Sequence, residues 1–413
     1  MNVGIVFGGY CPMHQGHLDL IMKAKKECSL VYVVVCGYNG EPRSEELGLP
    51  LDKRFQIIKD YFQNDEIIKV IKINDSDLGI DESESMDNWV IWTNAVFKQI
   101  LEDFHPENQF YVDRCRMKSV YGMNGLNSTF KFYVGVQEYY DAINKLKAQD
   151  YTNNVQYDPN HENNIDRVME YGNCIRYNID VELVGIDKNG SRIHDISATK
   201  IRQNPLKHWN KIIKPFRPYL TKKILITGTA SEGKTTLVSD IAKYFDCPYT
   251  TEYGRDYMAL RNMTDTDLTF NDFLNFVIGQ NDYYKHSLDA LNNNGVIISD
   301  TDNLVTLMYA KAYSTNPEMI FNEDDYKLLY QCVKTLNSDI TWDKIFVFPP
   351  KNTFVDDGTR YMGQSSIEER TKNYNCLIEL LKEFNLSDKV EVLDGTFYEN
   401  FIKVKNYIND LYI

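Results

Sequence analysis

Two stretches of this chain carry residue types whose order suits phosphate chemistry. The first is Gly8-Gly9-Tyr10-Cys11-Pro12-Met13-His14-Gln15-Gly16-His17, which follows an apolar run at Val3–Phe7 and opens a helical pattern. Glycines at such a turn let the backbone approach a phosphate closely. A helix beginning there adds free N–H groups and a positive dipole end. His14 and His17, three residues apart, can both face one cleft and donate hydrogen bonds to a triphosphate. No Cys or acid stands beside them at metal-ligand spacing. The plainer reading is a turn with two incidental histidines, and the strand–glycine–helix setting with Pro12 weighs against it.

The second stretch is Gly228-Thr229-Ala230-Ser231-Glu232-Gly233-Lys234-Thr235, a full GxxxxGK[ST] match. It lies between a strand at Lys223–Thr227 and a helix at Leu237–Phe245, the context that this motif requires. Backbone N–H groups from Ser231 through Glu232, Gly233 and Lys234 to Thr235 would cradle a β-phosphate, with Gly228 and Thr236 flanking the cradle. Lys234 would bridge the β- and γ-phosphates of ATP, and the Thr235 hydroxyl would ligate Mg²⁺.

Acids and arginines further on complete a kinase reading. Val296–Ser299 is an apolar strand ending in Asp300-Thr301-Asp302, the place for a metal-shell acid or a catalytic base. Thr251-Glu252-Tyr253-Gly254-Arg255 stands where small kinases hold their acceptor. Gly358-Thr359-Arg360 and Arg370 suit a lid that brings arginine to the phosphates. Taken singly, each of these also reads as a surface loop. The NKxD motif of GTPases is absent, and a compact nucleoside kinase fits better than a large mechanical ATPase.

The elements needed to position these groups alternate in type. Strands at Leu30–Cys36, Ile67–Ile73, Phe130–Val136 and Asp180–Gly185 interleave with helical patterns at His17–Glu27, Lys53–Tyr61 and Asp87–Phe104. Such alternation predicts a doubly wound α/β sheet. Asn153–Asn164 reads as a loop. Pro205, Pro215 and Pro218 punctuate a linker. The alternation then restarts, with strands at Gly295–Ser299, Asp343–Phe348 and Lys389–Leu393 and helices at Ser366–Phe384 and Tyr398–Leu411. The chain is therefore predicted to be α/β, with a Rossmann-like domain at 1–203, a linker at 204–222 and a P-loop domain at 223–413, each built on a parallel sheet.

Length and composition agree. A chain of 413 residues has room for two or three domains of roughly 100–200 residues. Its 45 basic and 59 acidic residues give a net charge of −14, which argues against a protein built mainly to grip nucleic acid. No run of about 18 apolar residues suggests a membrane span, and Met1–Tyr10 reads as a strand rather than a signal peptide. The 8 cysteines form no CxxC pair, as suits reduced thiols in a cytoplasmic protein.

The first string resembles the HxGH nucleotidyltransferase superfamily. Its second signature, ISxTxxR, is similar to Ile196-Ser197-Ala198-Thr199-Lys200-Ile201-Arg202. The resemblance implies that Gly8, Gly9, Tyr10, His14, His17, Ser197, Thr199 and Arg202 bind ATP. His14, His17 and Arg202 would stabilise charge on the phosphates during in-line attack, aided by Mg²⁺. Trp89 and Trp92 read either as core or as an aromatic lid over a flat ring, with Asn88 near its carboxamide. Gly135–Tyr139 is similar to the loop that closes over the adenylate. Arg54 matches a helix start of the family or is a solvated charge.

An HxGH domain ahead of a P-loop kinase resembles the bifunctional NadR family. The carriers are GGYCPMHQGH, DNWVIW, ISATKIR, Trp209, Arg217-Pro218-Tyr219, GTASEGKT, TEYGR, SDTD and VDDGTR. Ala198 and the Gly-Thr-Ala-Ser start of the P-loop depart mildly from the pattern. The resemblance implies that the kinase half phosphorylates nicotinamide riboside with ATP. The first half would then join nicotinamide mononucleotide to ATP, giving NAD and pyrophosphate. Lys234, Arg360 and Arg370 would serve the kinase ATP. Asp300 or Asp302 would handle Mg²⁺ or the 5′-hydroxyl, and Glu252, Tyr253, Arg255 and Asp300 the riboside. Such relatives often carry a DNA-binding helix-turn-helix; with a strand at Val3, neither it nor a DNA partner is expected here. Oligomeric state stays open, a homo-oligomer included. So do an enzyme with one sensing half and a fusion acting on another nucleoside. Fusions of HxGH enzymes to riboflavin kinases lack a Walker A loop, so Gly228–Thr235 argues against them.

Overall fold

The structure is a computed structural model that describes residues 2–79, 86–104, 129–148, 178–185, 196–338, 340–355 and 365–413. The readings of Asn153–Asn164 and of Gly358–Arg360 fall outside these residues. Two compact units divide the chain, Met1–Tyr219 and Leu220–Ile413.

In the first unit, β1 (Asn2–Gly8), β2 (Leu30–Gly37), β3 (Ile68–Asn74), β4 (Thr129–Val134) and β5 (Asn178–Leu183) form one sheet. Its order is β3-β2-β1-β4-β5, and every pairing is parallel. Helices on both faces explain why Val31 through Val35 are all fully buried and why that run shows no polar alternation. The helices are α1 (Gln15–Glu27), the short α2 (Pro42–Glu45), α3 (Leu51–Tyr61), α4 (Met86–Phe104), α5 (Gln137–Ala148) and α6 (Ala198–Gln203). Strand order reverses between β1 and β4, so the crevice beyond their carboxyl ends is the natural ligand site of this sheet.

The stretch read as a linker has structure of its own. Trp209, Ile212, Ile213 and Phe216 are buried. Ile212 makes an antiparallel bridge to His14, and the Ile213 N–H donates to the Met13 carbonyl at 3.2 Å. The prolines break helix periodicity here without freeing the chain, because the apolar residues between them are committed to the first unit.

In the second unit, β6 (Lys222–Gly228), β7 (Tyr249–Thr250), β8 (Val296–Asp300), β9 (Lys344–Phe348) and β10 (Val390–Val392) make a second parallel sheet, in the order β10-β9-β6-β8-β7. The helices are α7 (Lys234–Phe245), α8 (Tyr253–Arg261), α9 (Phe270–Leu288), α10 (Asn303–Ser314), α11 (Glu323–Leu336), α12 (Ile367–Glu383) and α13 (Phe397–Leu411). The sheet reverses between β6 and β8, placing the P-loop at its switch point. Among the described residues no helix is long and apolar enough to cross a membrane.

Candidate functional site

The first site is built where β1 ends. After Gly8 the chain turns through Tyr10, at φ 47°, and a cis Cys11–Pro12 bond, and α1 starts beyond His14. The rings of His14 and His17 stack with centroids 3.8 Å apart. The His14 N–H donates to His17 Nδ1 at 3.3 Å, which fixes the second ring against the helix start. His14 is 6 % exposed, so its imidazole sits at a nearly dry helix N-terminus. Arg202, at the end of α6, reaches back to the same loop. Its Nη1 donates to the Cys11 carbonyl at 2.6 Å and its Nη2 to Thr199 Oγ1 at 3.1 Å. Burial pulls the Arg202 pKa below the ordinary arginine value, a cost that an incoming phosphate would offset. Ser197 caps α6 by accepting the Lys200 N–H at 3.2 Å. The two signatures, far apart in sequence, thus meet around Cys11.

Tyr10 and Arg54 are both buried beside this loop. The Tyr10 hydroxyl donates to the Val6 carbonyl at 3.2 Å and its ring edge meets His17, so the side chain shapes the turn. Arg54 is no solvated charge. It is fully buried and donates to the carbonyls of Gly9, Leu49 and Cys36 and to Glu41 Oε2. A helix-start Arg gives no sequence sign of this, because its acceptors come from three separate segments. Next to it, burial and the Glu41 charge push the Asp75 carboxyl up to about 6.

At the β1–β4 switch point stands an aromatic cluster. Phe7 lies 4.9 Å from Trp92 and 5.3 Å from Tyr139, ring to ring, and Trp89 lies 5.7 Å from Tyr139. Trp92 is buried in the core, whereas Trp89 and Asn88 are half-buried on the same helix. Trp92 packs in the core, and Trp89 is partly buried against Phe7 and Tyr139. Gly135 and Val136 form the bend before α5, which begins at Gln137.

The second site is the P-loop between β6 and α7. Gly228, at φ 137°, leaves no room for a side chain, since a Cβ there would sit 2.6 Å from the Phe348 carbonyl. Lys234 is buried and donates to the Thr229 carbonyl at 2.7 Å, which holds its ammonium across the loop. Thr235 Oγ1 donates to Asp300 Oδ2 at 2.5 Å, while Asp300 Oδ1 is buried with no hydrogen-bond partner. Burial raises the Asp300 pKa, opposed mainly by the Lys234 charge. Asp302 is placed differently: its Oδ1 accepts the Leu304 N–H at 3.1 Å and caps α10. Thr236 is exposed one position after Thr235 in the same helical turn.

Glu232 is spent on the protein. Its carboxylate accepts the N–H groups of Lys351 and Asn352 and pairs with Arg370 Nη1 at 2.8 Å. Arg370 also donates to the Asn352 carbonyl at 2.7 Å, and its Nε is buried without a partner. Arg370 therefore sits in a buried pair beside the P-loop instead of on a free lid, and Arg360 lies outside the described residues.

One cavity is lined by Ala230, Lys234, Glu252, Arg255, Asp265 and Phe273, among others. Glu252 and Arg255 pair at 2.6 Å on its wall. Tyr253 is absent from that lining among the described residues; its ring lies against Gly279, where a Cβ would be 2.2 Å from it. Sequence reading missed Asp265, Phe276, Tyr309 and Tyr313, all in the lining, because they come from helices with no motif of their own. Among the described residues no group of three or more His, Cys, Asp or Glu gathers as a metal cluster. The P-loop pocket offers a different donor set, one hydroxyl and one carboxylate.

Comparison with known proteins finds a similar family for each unit. The family described as cytidylyltransferase-like matches residues 5–204, and the family described as an AAA domain matches 223–399. The Trifunctional NAD biosynthesis/regulator protein NadR of Salmonella typhimurium is 21% identical over 418 residues, covering 99% of this chain and 83% of that protein. Its Escherichia coli K12 counterpart is 22% identical, with the same coverage. Among solved structures, a NadR protein in complex with NR is 28% identical with a TM-score of 0.74, covering 100% of this chain and 96% of that one. A NadR protein in complex with NAD and AMP-PNP is 27% identical with a TM-score of 0.72 and the same coverage. The chain is thus a nucleotidyltransferase-like domain followed by a P-loop kinase-like domain, similar to NadR along its whole length.

Proposed function

We propose that this chain is a bifunctional enzyme of NAD synthesis. The second unit transfers the γ-phosphoryl group of ATP to the 5′-hydroxyl of nicotinamide riboside, releasing ADP. The first unit joins the resulting nicotinamide mononucleotide to a second ATP, giving NAD and pyrophosphate. The observation that carries this reading is the end-to-end match, through both units, to a NadR protein held in complex with NR.

The geometry supports each step. In the first unit the mononucleotide phosphate oxygen attacks the α-phosphorus of ATP as the bond to pyrophosphate breaks. His14, His17 and Arg202 surround one loop and would hold the departing phosphates in line. Trp89, Phe7 and Tyr139 offer aromatic surface to the nicotinamide ring, with Asn88 on the same helix. In the second unit the P-loop N–H groups and Lys234 would hold the β- and γ-phosphates. The buried, unpartnered Asp300 Oδ1 beside the Thr235 hydroxyl suits Mg²⁺. Bound there, Mg²⁺ would neutralise charge on the phosphate oxygens.

Incubation with ATP, Mg²⁺ and nicotinamide riboside, with products read by mass, tests the proposal. Nicotinamide mononucleotide and NAD should accumulate in succession. The absence of both would overturn the reading, and mononucleotide without NAD would reduce it to the kinase half.

A further inference from the structure

The residue between the two acids at the end of β8 holds a conformation that its side chain disfavours. Thr301 has φ 74°, in the left-handed region. Of the non-glycine residues with positive φ among the described residues, it alone carries a branched Cβ. A branched side chain is strained there, and such strain persists only where the surroundings over-determine the backbone. Three strands do so here. The Thr301 N–H donates to the Ile226 carbonyl of β6 at 3.0 Å. The Thr301 carbonyl accepts the Ser299 hydroxyl of β8 at 2.8 Å. Ser299 Oγ spends its proton on that bond, so it accepts from Thr250 Oγ1, at the end of β7, at 2.6 Å.

Both polar groups of the backbone are thus used, and the side chain is left over. Thr301 is 3 % exposed, and its Oγ1 is buried with no hydrogen-bond partner among the described residues. A buried hydroxyl without a partner costs stability. The residue lines the cavity that also contains Ala230 and Lys234 of the P-loop. It directly follows Asp300, whose Oδ2 accepts the Thr235 hydroxyl. Neither cost serves the fold. Gly or Asn would take the left-handed turn more easily, and Val would fill the volume with no hydroxyl to satisfy.

We propose that Thr301 contacts substrate, its hydroxyl donating a hydrogen bond to an oxygen of the γ-phosphoryl group as that group leaves ATP for the acceptor. One staggered rotation about χ1 redirects the hydroxyl while the backbone stays pinned. The acceptor oxygen bonds to the γ-phosphorus as the bond to ADP breaks. The acceptor's proton is released to water, and Thr301 keeps its own. A donor that meets charge spread over the phosphoryl oxygens acts most strongly in the transition state, so its loss falls on kcat. This rests on the kinase reading above and adds a residue to the transfer step.

The test compares Thr301→Val and Thr301→Ser with wild type, reading ADP release with ATP, Mg²⁺ and nicotinamide riboside. Val keeps the branched shape and removes the hydroxyl, whereas Ser keeps the hydroxyl. Thr301→Val should lower kcat by about tenfold or more and hold both KM values within about threefold. Thr301→Ser should keep kcat within about threefold of wild type. A second measurement separates this role from a structural one. Ligand-free Thr301→Val should melt at or above the wild-type temperature, because it removes an unsatisfied buried group. A lower melting temperature would show that the hydroxyl is bonded within the protein, and would overturn the proposal. So would an unchanged kcat in Thr301→Val, a loss confined to KM, or a loss that Ser does not recover; each leaves the kinase reading intact. If wild type does not phosphorylate nicotinamide riboside, the kinase reading falls and the proposal with it.

Discussion

Thr235 donates its hydroxyl to Asp300 across 2.5 Å, joining the first turn of the P-loop helix to the end of β8. This contact separates two acids that stand two positions apart in sequence. Asp300 faces the phosphate loop, whereas Asp302 is turned away to cap α10. Asp300→Asn should therefore lower the kinase kcat by about 100-fold or more, the loss expected when several kcal/mol of charge stabilisation depend on one acid. Asp302→Asn should stay within about threefold. Release of ADP with nicotinamide riboside present measures both, and equal losses would return the two acids to the same standing.

The two units carry separate phosphate loops, so their activities should separate by mutation. His17→Ala should reduce NAD formation from nicotinamide mononucleotide by about 100-fold or more and leave riboside phosphorylation near wild type. Lys234→Ala should do the reverse. Loss of both activities from either single change, in protein that still melts cooperatively, would contradict a two-site enzyme.

The sheets and the strand–turn–helix settings of both signatures were legible because their signals are local. A continuous run rich in β-branched residues such as Leu30–Cys36 suits a strand covered on both faces, and the GxxxxGK[ST] spacing between a strand and a helix marks a P-loop. The structure extends that run by one residue, to Gly37. What stayed hidden depends on long-range partners. Arg54 reads as an ordinary helix-start cation until Gly9, Cys36, Leu49 and Glu41 are seen around it. Glu232 looks like a variable P-loop position, and only the fold brings Arg370 to it from 138 residues away. The helices Tyr253–Arg261, Phe270–Leu288, Asn303–Ser314 and Glu323–Leu336 were not resolved from the sequence. The first three of them line the cavity beside Lys234, so that cavity was the least legible part.

The buried Arg54–Glu41 pair gives a stability prediction for the first unit. Both partners are almost wholly buried, and Arg54 bridges the Gly9 loop to the end of β2. Arg54→Met keeps volume and removes every donor. Glu41 would retain Arg43, which also bonds to it. The loss should be about 3 kcal/mol, typical of breaking a buried pair from one side. It should appear as faster hydrogen exchange in peptides spanning Leu30–Gly37, with a raised KM for ATP in NAD formation. Arg54→Lys should rescue little, because an ammonium cannot reproduce the planar fork. Unchanged exchange in Arg54→Met would show that the pair is replaceable.

Asp302 gives the pH dependence of the second unit. Burial pushes its carboxyl up to about 6, while the ordinary value is 3.8. An acid whose pKa is raised by folding binds its proton more tightly in the folded state. Stability from this group is thus highest below about pH 4, falls as pH rises through the window from 4 to 6, and stays reduced above it. Asn at this position accepts the same N–H and caps a helix as well as Asp, but carries no charge to bury. Asp302→Asn should therefore match wild type near pH 4 and exceed it at pH 7 by roughly 1–3 kcal/mol. Hydrogen exchange of the peptide spanning Val296–Ser314, compared between the two proteins at each pH, reads the difference directly. Protection in the variant should overtake wild type between pH 4 and 6. A gap that is constant with pH, or one that shrinks as pH rises, would mean that the Asp302 charge is already balanced in the fold.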